Sequence, residues 1–168
     1  EHPHYKEKLN NQNQGRGIAV GYRWQGGQVS SATINVNTDG TITLITGSVD
    51  IGGSRTAVAM QAAEILGLSS EDVSPIVADT DMVGYTANTG GSRTAYDTGL
   101  AAIEAANLVI SEMKSRASLI WEVQPEDIEF KQGIFKCIKN SDDQFTFKEL
   151  ARRQMGSGGP ITCSASAT

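Results

Sequence analysis

Residues 41–57 read TITLITGSVDIGGSRTA, and the change of period within this stretch decides the fold. Ile42 and Leu44 lie two apart, the period of a strand with one face on a core. Past the glycine pair, Val58, Ala62, Ile65 and Leu66 fall three or four apart, the period of a helix, with Ser54 as its expected N-cap. Gly67 is placed to end that helix as a left-handed residue. Upstream, Asn37-Thr38-Asp39-Gly40 supplies a tight turn, and Asp39-Gly40 is the strongest hairpin signal in the chain. The turn joins this strand to one over 31–37, where Ile34 and Val36 alternate in the same way. A further strand is expected over 17–25. The polar residues 1–16, rich in Asn and Gln, read as an extended lead-in with no assigned function.

Downstream, Ser69 and Asp72 resemble a capping box on a short turn, 73–78 reads as a strand, and Asp79-Thr80-Asp81 opens a loop over 82–89. A second helix carries Leu100, Ile103, Ala106, Ile110, Met113, Ala117 and Ile120 at steps of three or four. Pro125 closes it. Residues 128–130 and 134–138 suggest a hairpin about Gln132-Gly133, and Thr146 with Glu149 forms a capping box for a short helix ending near Gly156. Each long helix is followed by a Glu-Asp turn and a strand, at 68–73 and 123–128. The wider interval in the second half predicts a helix longer by about 17 residues, nearly five turns. This order of elements makes an α/β or α+β fold; the expectation is α+β, a mixed or antiparallel sheet with helices packed on one face, made by residues 17–168 as a single α/β-type unit. The start at Glu1 without Met and the stop in strand-like sequence at Thr168 read as a piece excised from a larger chain.

The hexapeptide Gly-Gly-Ser-Arg-Thr-Ala occurs at 52–57 and again at 90–95, each time opening a helix. Helix entrances leave backbone N–H groups pointing outward, and such ends attract anions, phosphate above all. Two copies suggest one extended anion held from two sides. Arg55 and Arg93 sit in the first turn of their helices, where a cation opposes the macrodipole at a cost of about 0.3 to 1 kcal/mol. A bound anion would offset that cost, with guanidinium, amide and hydroxyl donors converging on its oxygens. The competing reading is two Gly-Ser helix starts whose arginines reach solvent.

Other chemistries find little support. The net charge of −5, with Lys and Arg scattered, argues against a nucleic-acid or anionic-membrane surface, and no apolar run is long enough to span a bilayer. Neither hexapeptide is a Walker loop, and no Gly-x-Gly-x-x-Gly opens a helix. Cys137 and Cys163 lack metal or redox spacing; Cys137, among apolar neighbours, reads as a buried structural thiol. His2 and His4 lie in the lead-in. Asp79 and Asp81 form the only tight acidic pair after a buried strand, open to ligand or cation binding on one reading and to turn capping on the other.

Three stretches together resemble the molybdenum-cofactor-binding subunit of the xanthine dehydrogenase and aldehyde oxidase family of molybdenum hydroxylases, in a bacterial branch acting on small aldehydes and N-heterocycles. They are Gly47 to Thr56, then Ala62 to Gly67 with Val77 to Thr80, then Thr89 to Ala95. In that family the first loop reads Glu-Met-Gly-Gln-Gly-x-x-Thr. Asp50, Ile51 and Gly52 match its opening, whereas Gly53 replaces the Gln, Ser54 the next Gly and Ala57 the Thr, so only the main-chain cradle carries over. In the second loop Thr89, Gly91, Ser92 and Thr94 match positions that line the cofactor near the metal. The resemblance, joined to the helix-entrance argument, makes Gly52, Gly53, Ser54, Arg55, Thr56, Thr89, Gly90, Gly91, Ser92, Arg93 and Thr94 the expected cofactor-binding residues, with no metal ligand from the protein.

The same resemblance implies a molybdenum-pterin cofactor, in its simple or cytosine dinucleotide form, and hydroxylation with water as the oxygen source. It implies that the general-base glutamate lies C-terminal to this piece, which alone is then inactive and contains no catalytic residue. Iron–sulfur clusters and FAD are expected on other domains or subunits, with the rest of the molybdenum subunit and a small-molecule substrate as partners. The implied location is cytoplasmic, or periplasmic if the full protein carries an export signal. The alternative from the residues alone is a phosphate- or nucleotide-binding module without redox activity, or a structural domain whose hexapeptides merely start helices.

Overall fold

The computed structural model of the chain describes residues 8–9, 12–22 and 27–168. The hairpin forms as read: β1 (Ser30–Val36) lies antiparallel to β2 (Ile42–Thr46), with Ile34 opposite Leu44 and Val36 opposite Ile42. Gly40 takes the left-handed turn position at φ 85°. Asp39 closes the turn by accepting from the Thr41 hydroxyl at 2.7 Å and the Thr41 amide at 2.8 Å, bonds that hold its carboxyl below the usual range.

From β2 the chain enters α1 (Ser54–Leu66), ends it at Gly67 with φ 63°, and returns through a single turn over Ser70–Asp72 into β3 (Val73–Val77), parallel to β2. The last strand, β7 (Ile161–Ala167), pairs antiparallel with β1 and completes a mixed sheet in the order β3, β2, β1, β7. Pro75 sits in an edge strand, where its missing N–H need not interrupt the ladder.

The long second helix, α2 (Gly99–Trp121), packs against α1 and on the same sheet face, against β1 and β7. It has 23 residues against 13 in α1, and a π-helical turn of five residues, Thr94–Thr98, runs directly into it, which accounts for most of the extra length expected. Its buried face differs from the expected stripe. Ala106, Met113 and Ala117 are buried, but Leu100, Ile103 and Ile110 are only partly so and Ile120 is exposed. Ala101, Ala102, Ala105 and Val109 hold the centre instead. Small side chains let a helix wedged between a sheet and a second helix approach both, and the larger aliphatics move to the flanks.

Residues past Pro125 build a second, antiparallel sheet from β4 (Ile128–Lys131), β5 (Ile134–Cys137) and β6 (Gln144–Thr146), followed by α3 (Phe147–Ala151). β6 is too short to betray itself by alternation. Phe135, Phe147 and Leu150 are buried beneath it, and Trp121 stacks on Phe145 at 5.0 Å between centroids. The capping box at α3 forms as expected: the Thr146 hydroxyl accepts from the Glu149 amide at 3.2 Å, and the Glu149 carboxylate accepts from the Thr146 amide at 2.8 Å. The β4–β5 turn presses against the end of α1 so closely that a Cβ on Gly67 would overlap the Gly133 amide. Cys137 is buried and forms no disulfide, while Cys163 is half-buried and its thiol is pushed up by burial.

Several local expectations fail. The Ser69–Asp72 box is reduced to one bond, from the Glu71 amide to the Ser69 hydroxyl at 3.4 Å, and α3 ends at Ala151 rather than near Gly156. Residues 17–22 carry no strand, and Ile18, Val20 and Tyr22 are exposed, with no paired neighbour among the described residues to extend them. Residues 23–26 of that expected strand, and 1–7 and 10–11 of the lead-in with both histidines, lie outside the described residues. Ser54 is the first helical residue rather than the N-cap, because Gly53 at φ 82° bends the chain into α1 and carries no side chain to cap it. No helix among the described residues is long and apolar enough to cross a membrane.

Candidate functional site

Both hexapeptides turn through consecutive left-handed residues, which point successive amides toward one side. In the first copy these are Gly52 at φ 61° and Gly53 at φ 82°; in the second they are Gly91 at φ 60° and Ser92 at φ 59°. A serine in this conformation bears a cost of about 1 kcal/mol that Gly avoids. The two loops meet across a cleft of about 230 Å³ lined by Ile51, Ser54, Thr89, Ser92, Thr94 and Ala95. Ser54, Thr89, Ser92 and Thr94 of the expected residues therefore share one space. Gly52, Gly53, Arg55 and Thr56 lie exposed beside it, and no atom stands within 4 Å of where a Cβ on Gly52 or Gly53 would be. Gly90 and Gly91, in the second loop, are partly buried.

The two arginines part company. Arg55 is 44% exposed and its compensating charge comes from its own loop: Asp50 lies 3.6 Å from the guanidinium, accepts from the Arg55 amide at 3.0 Å, and so caps α1. The Ser54 hydroxyl accepts from the Ile51 amide at 3.1 Å, tightening the same turn. Arg93 is only 2% exposed and points into the protein. Its Nε donates to Asp97 at 2.9 Å; Nη1 donates to Ala87 O at 2.7 Å and Asn88 O at 3.4 Å; Nη2 donates to Gln28 O, Val29 O and the Ser30 hydroxyl. All the guanidinium donors are thus engaged by protein, and the expected Arg93 contact with an anion is replaced by a clamp that ties the second loop to the start of β1.

Further polar contacts set the cleft. Gln61 of α1 donates to Ala95 O at 3.2 Å, reaching over Gly99, where a Cβ would overlap the Gln61 amide. Thr98 Oγ1 lies 3.0 Å from Ser30 Oγ and 2.7 Å from Ser48 Oγ, all three buried. Among the described residues, three buried side-chain atoms lack a hydrogen-bond partner: Gln61 Oε1, Thr94 Oγ1 and Asp97 Oδ1. Of these three residues only Thr94 also lines the cleft. A larger cleft of about 400 Å³ between Gly67 and Phe147 lies at the opposite end of α1 and gathers no such orphaned group.

Asp79 and Asp81 are exposed, and Asp79 accepts from the Asp81 amide at 3.0 Å, the turn-capping arrangement. No group of three metal-ligating side chains comes together among the described residues. The sequence reading placed Asp50 in the first loop without giving its carboxylate a role, and missed Asp97, Ser30, Ser48 and Thr98. Asp97 had a signal, since it follows Arg93 by four residues in a helical start. The three hydroxyls, distant in sequence, had none.

Comparison with known proteins gives the family and the fold. All 168 residues match the model of the molybdopterin cofactor-binding domain. The chain is 33% identical over 153 residues to the molybdenum-binding subunit of an aldehyde oxidoreductase from Escherichia coli K12, covering 90% of this chain and 19% of that one. It is 30% identical over 126 residues to the gamma subunit of the 6-hydroxypseudooxynicotine dehydrogenase complex of Paenarthrobacter nicotinovorans, covering 74% and 16%. Among solved structures, CO dehydrogenase from Oligotropha carboxidovorans superposes with a TM-score of 0.75 at 25% identity, covering 82% of this chain and 18% of that one. The chain thus spans less than a fifth of the length of these relatives. It belongs to the molybdopterin cofactor-binding domain family, with the α+β architecture of molybdenum hydroxylases.

Proposed function

We propose that this chain forms one part of the cofactor cradle of a molybdenum hydroxylase that hydroxylates small aldehydes or N-heterocycles with water as oxygen source. The observation that carries the reading is the cleft between the two hexapeptides, whose lining includes Thr94, a residue with a buried and unpartnered hydroxyl. The main-chain amides of Gly52 and Gly53, with the first-turn hydroxyls of Ser54 and Thr56, would hold one side of the cofactor's anionic part. Thr89, Gly90, Gly91, Ser92 and Thr94 would hold the other. Arg55, at the rim, would add positive charge while paired with Asp50, and Arg93 acts from behind the loop. When bound, the group supplies a redox-active molybdenum held by the pterin's own sulfur atoms; the protein supplies orientation and electrostatics.

Two loops facing one cleft suit an extended diphosphate better than a single phosphate, which favours the dinucleotide form of the cofactor. Iron–sulfur and flavin groups would reside on other domains or subunits, and the complete enzyme would work in the cytoplasm unless exported. A phosphate- or nucleotide-binding module without redox activity gains no support from the family match over the whole chain. The test is to purify the full-length parent from a host that makes the cofactor, measure molybdenum by elemental analysis and pterin by fluorescence, and identify nucleotide released by acid. Near-stoichiometric molybdenum and pterin, with a released cytidine nucleotide, are expected. A folded parent containing neither would sink the proposal.

A further inference from the structure

A buried polar chain runs behind the cleft from one loop to the other. Arg93 donates to the Ser30 hydroxyl, Ser30 Oγ lies 3.0 Å from Thr98 Oγ1, and Thr98 Oγ1 lies 2.7 Å from Ser48 Oγ; in each hydroxyl pair either oxygen can donate. Bonds linked in this way polarise one another. Ser48 precedes Asp50 by two residues, and the Asp50 carboxylate caps α1 through the Arg55 amide. Relative exposures of 0% for Ser30, 1% for Thr98 and 7% for Ser48 keep water from substituting for any link. The chain therefore joins the loop before the first hexapeptide to the π-helical turn that issues from the second, the two walls of the cleft.

We propose that Thr98 is a positioning residue whose hydroxyl fixes the first glycine loop relative to the second, so that the cradle has its spacing before a ligand arrives. The inference rests on the cofactor-cradle reading and deepens it. The hydrogen bonds of the Thr98 hydroxyl go to Ser48 and Ser30, neither of which lines the cleft; it acts through Ser48 on one side and through Ser30 and Arg93 on the other. A valine at 98 would fill the same volume and keep the backbone, while removing the only bond that crosses from the π-helical turn to the 47–50 loop in this chain of contacts.

The experiment uses the full-length parent carrying Thr98→Val, Thr98→Ser, Ser48→Ala or the double Thr98→Val/Ser48→Ala. Thr33→Val is the control, breaking the Thr33–Ser164 hydroxyl pair at 2.7 Å on the outer sheet face. Amide hydrogen exchange is read over 51–55 and 90–94, and molybdenum and pterin per chain are read after prolonged dialysis. Thr98→Val should speed exchange in 51–55 about tenfold, the worth of one buried hydrogen bond, and lower retained cofactor severalfold. Thr98→Ser should restore both, Ser48→Ala should reproduce the effect on 51–55, the double variant should be no worse than Thr98→Val, and Thr33→Val should change neither quantity. Unaltered exchange over 51–55 in Thr98→Val, exchange raised equally throughout α1 and α2, or failure of Thr98→Ser to rescue would overturn the proposal. If Thr98→Val does not fold, Ser48→Ala and Thr98→Ser decide it by the same criteria. A wild-type parent lacking molybdenum and pterin would remove the cradle reading, while exchange would still decide whether the two loops are coupled.

Discussion

Replacing Arg93 with Gln should destabilise the protein far more than replacing Arg55 with Gln, although the two residues occupy the same place in identical hexapeptides. Arg93 and Asp97 have side chains 1% and 0% exposed, so Arg93→Gln leaves a buried carboxylate without its cation and removes donors from the carbonyls of Gln28, Val29 and Ala87. Removing one partner of a buried pair costs about 3 to 5 kcal/mol, a large share of the roughly 5 to 15 kcal/mol that holds a domain together. At about 2 to 4 °C per kcal/mol for a chain of this size, the melting temperature should fall by roughly 10 °C. Arg93→Lys should fail almost as badly, because one ammonium cannot reach acceptors arranged for a planar fork. Adding Asp97→Leu to Arg93→Met should recover the part due to the stranded charge but not the part due to the carbonyls. Arg55→Gln breaks an exposed 3.6 Å pair and should change stability by less than about 1 kcal/mol. Urea unfolding followed by circular dichroism measures each variant. A loss for Arg93→Gln within about 1 kcal/mol of that for Arg55→Gln would refute the assignment of Arg93 as a buried clamp.

Gly67→Ala should lose at least about 2 kcal/mol in the same assay, because the left-handed φ and overlap with the Gly133 backbone act together, whereas Gly52→Ala, in open space, should lose only about 1 kcal/mol. Thr146→Ala removes the hydroxyl that caps α3 and should cost about 1 kcal/mol. Acid should weaken the fold: the Lys139 ammonium at 2.5 Å from Asp127, and the Thr146 amide and hydroxyl on Glu149, hold both carboxyls below their usual values. A carboxyl depressed in the folded state stabilises above its unfolded pKa and loses that contribution as pH falls through the folded value, so stability should decline below about pH 4.5. Unfolding midpoints taken from pH 6 to 3 should show this decline, and it should be shallower in Glu149→Gln.

What was legible in the sequence was local. Asp39-Gly40, Gly67, Gln132-Gly133 and the Thr146–Glu149 pair each impose a conformation on their own few residues, and each is found where it was read. The buried face of the β1–β2 hairpin followed, since Ile34, Val36, Ile42 and Leu44 alternate with period two and a one-residue slip would turn one strand's set to solvent. Long-range packing was not legible. An alanine is equally at home on either face of a helix, so the sequence drew attention to Leu100, Ile103 and Ile120 while the tight contacts fell to Ala101, Ala102 and Ala105. The described part of the expected strand, 17–22, shows the converse limit: alternation makes a segment able to pair, but a neighbour must be present to pair with it.

The doubled hexapeptide shows how the same residues acquire different roles from their surroundings. Five residues before Arg55 stands Asp50, and four after it stands Ala59; around Arg93 the corresponding positions are Asn88 and Asp97. An acid upstream pulls the first guanidinium back over its own loop, toward solvent and the rim of the cleft. An acid one helical turn downstream draws the second inward along the helix, and once buried it requires the carbonyls of 28, 29 and 87 to satisfy it. That requirement in turn brings Ser30 within reach of Thr98, and Thr98 within reach of Ser48. Placement of one aspartate thus makes one copy an exposed rim and the other an anchored wall, the two sides that the proposed cradle requires.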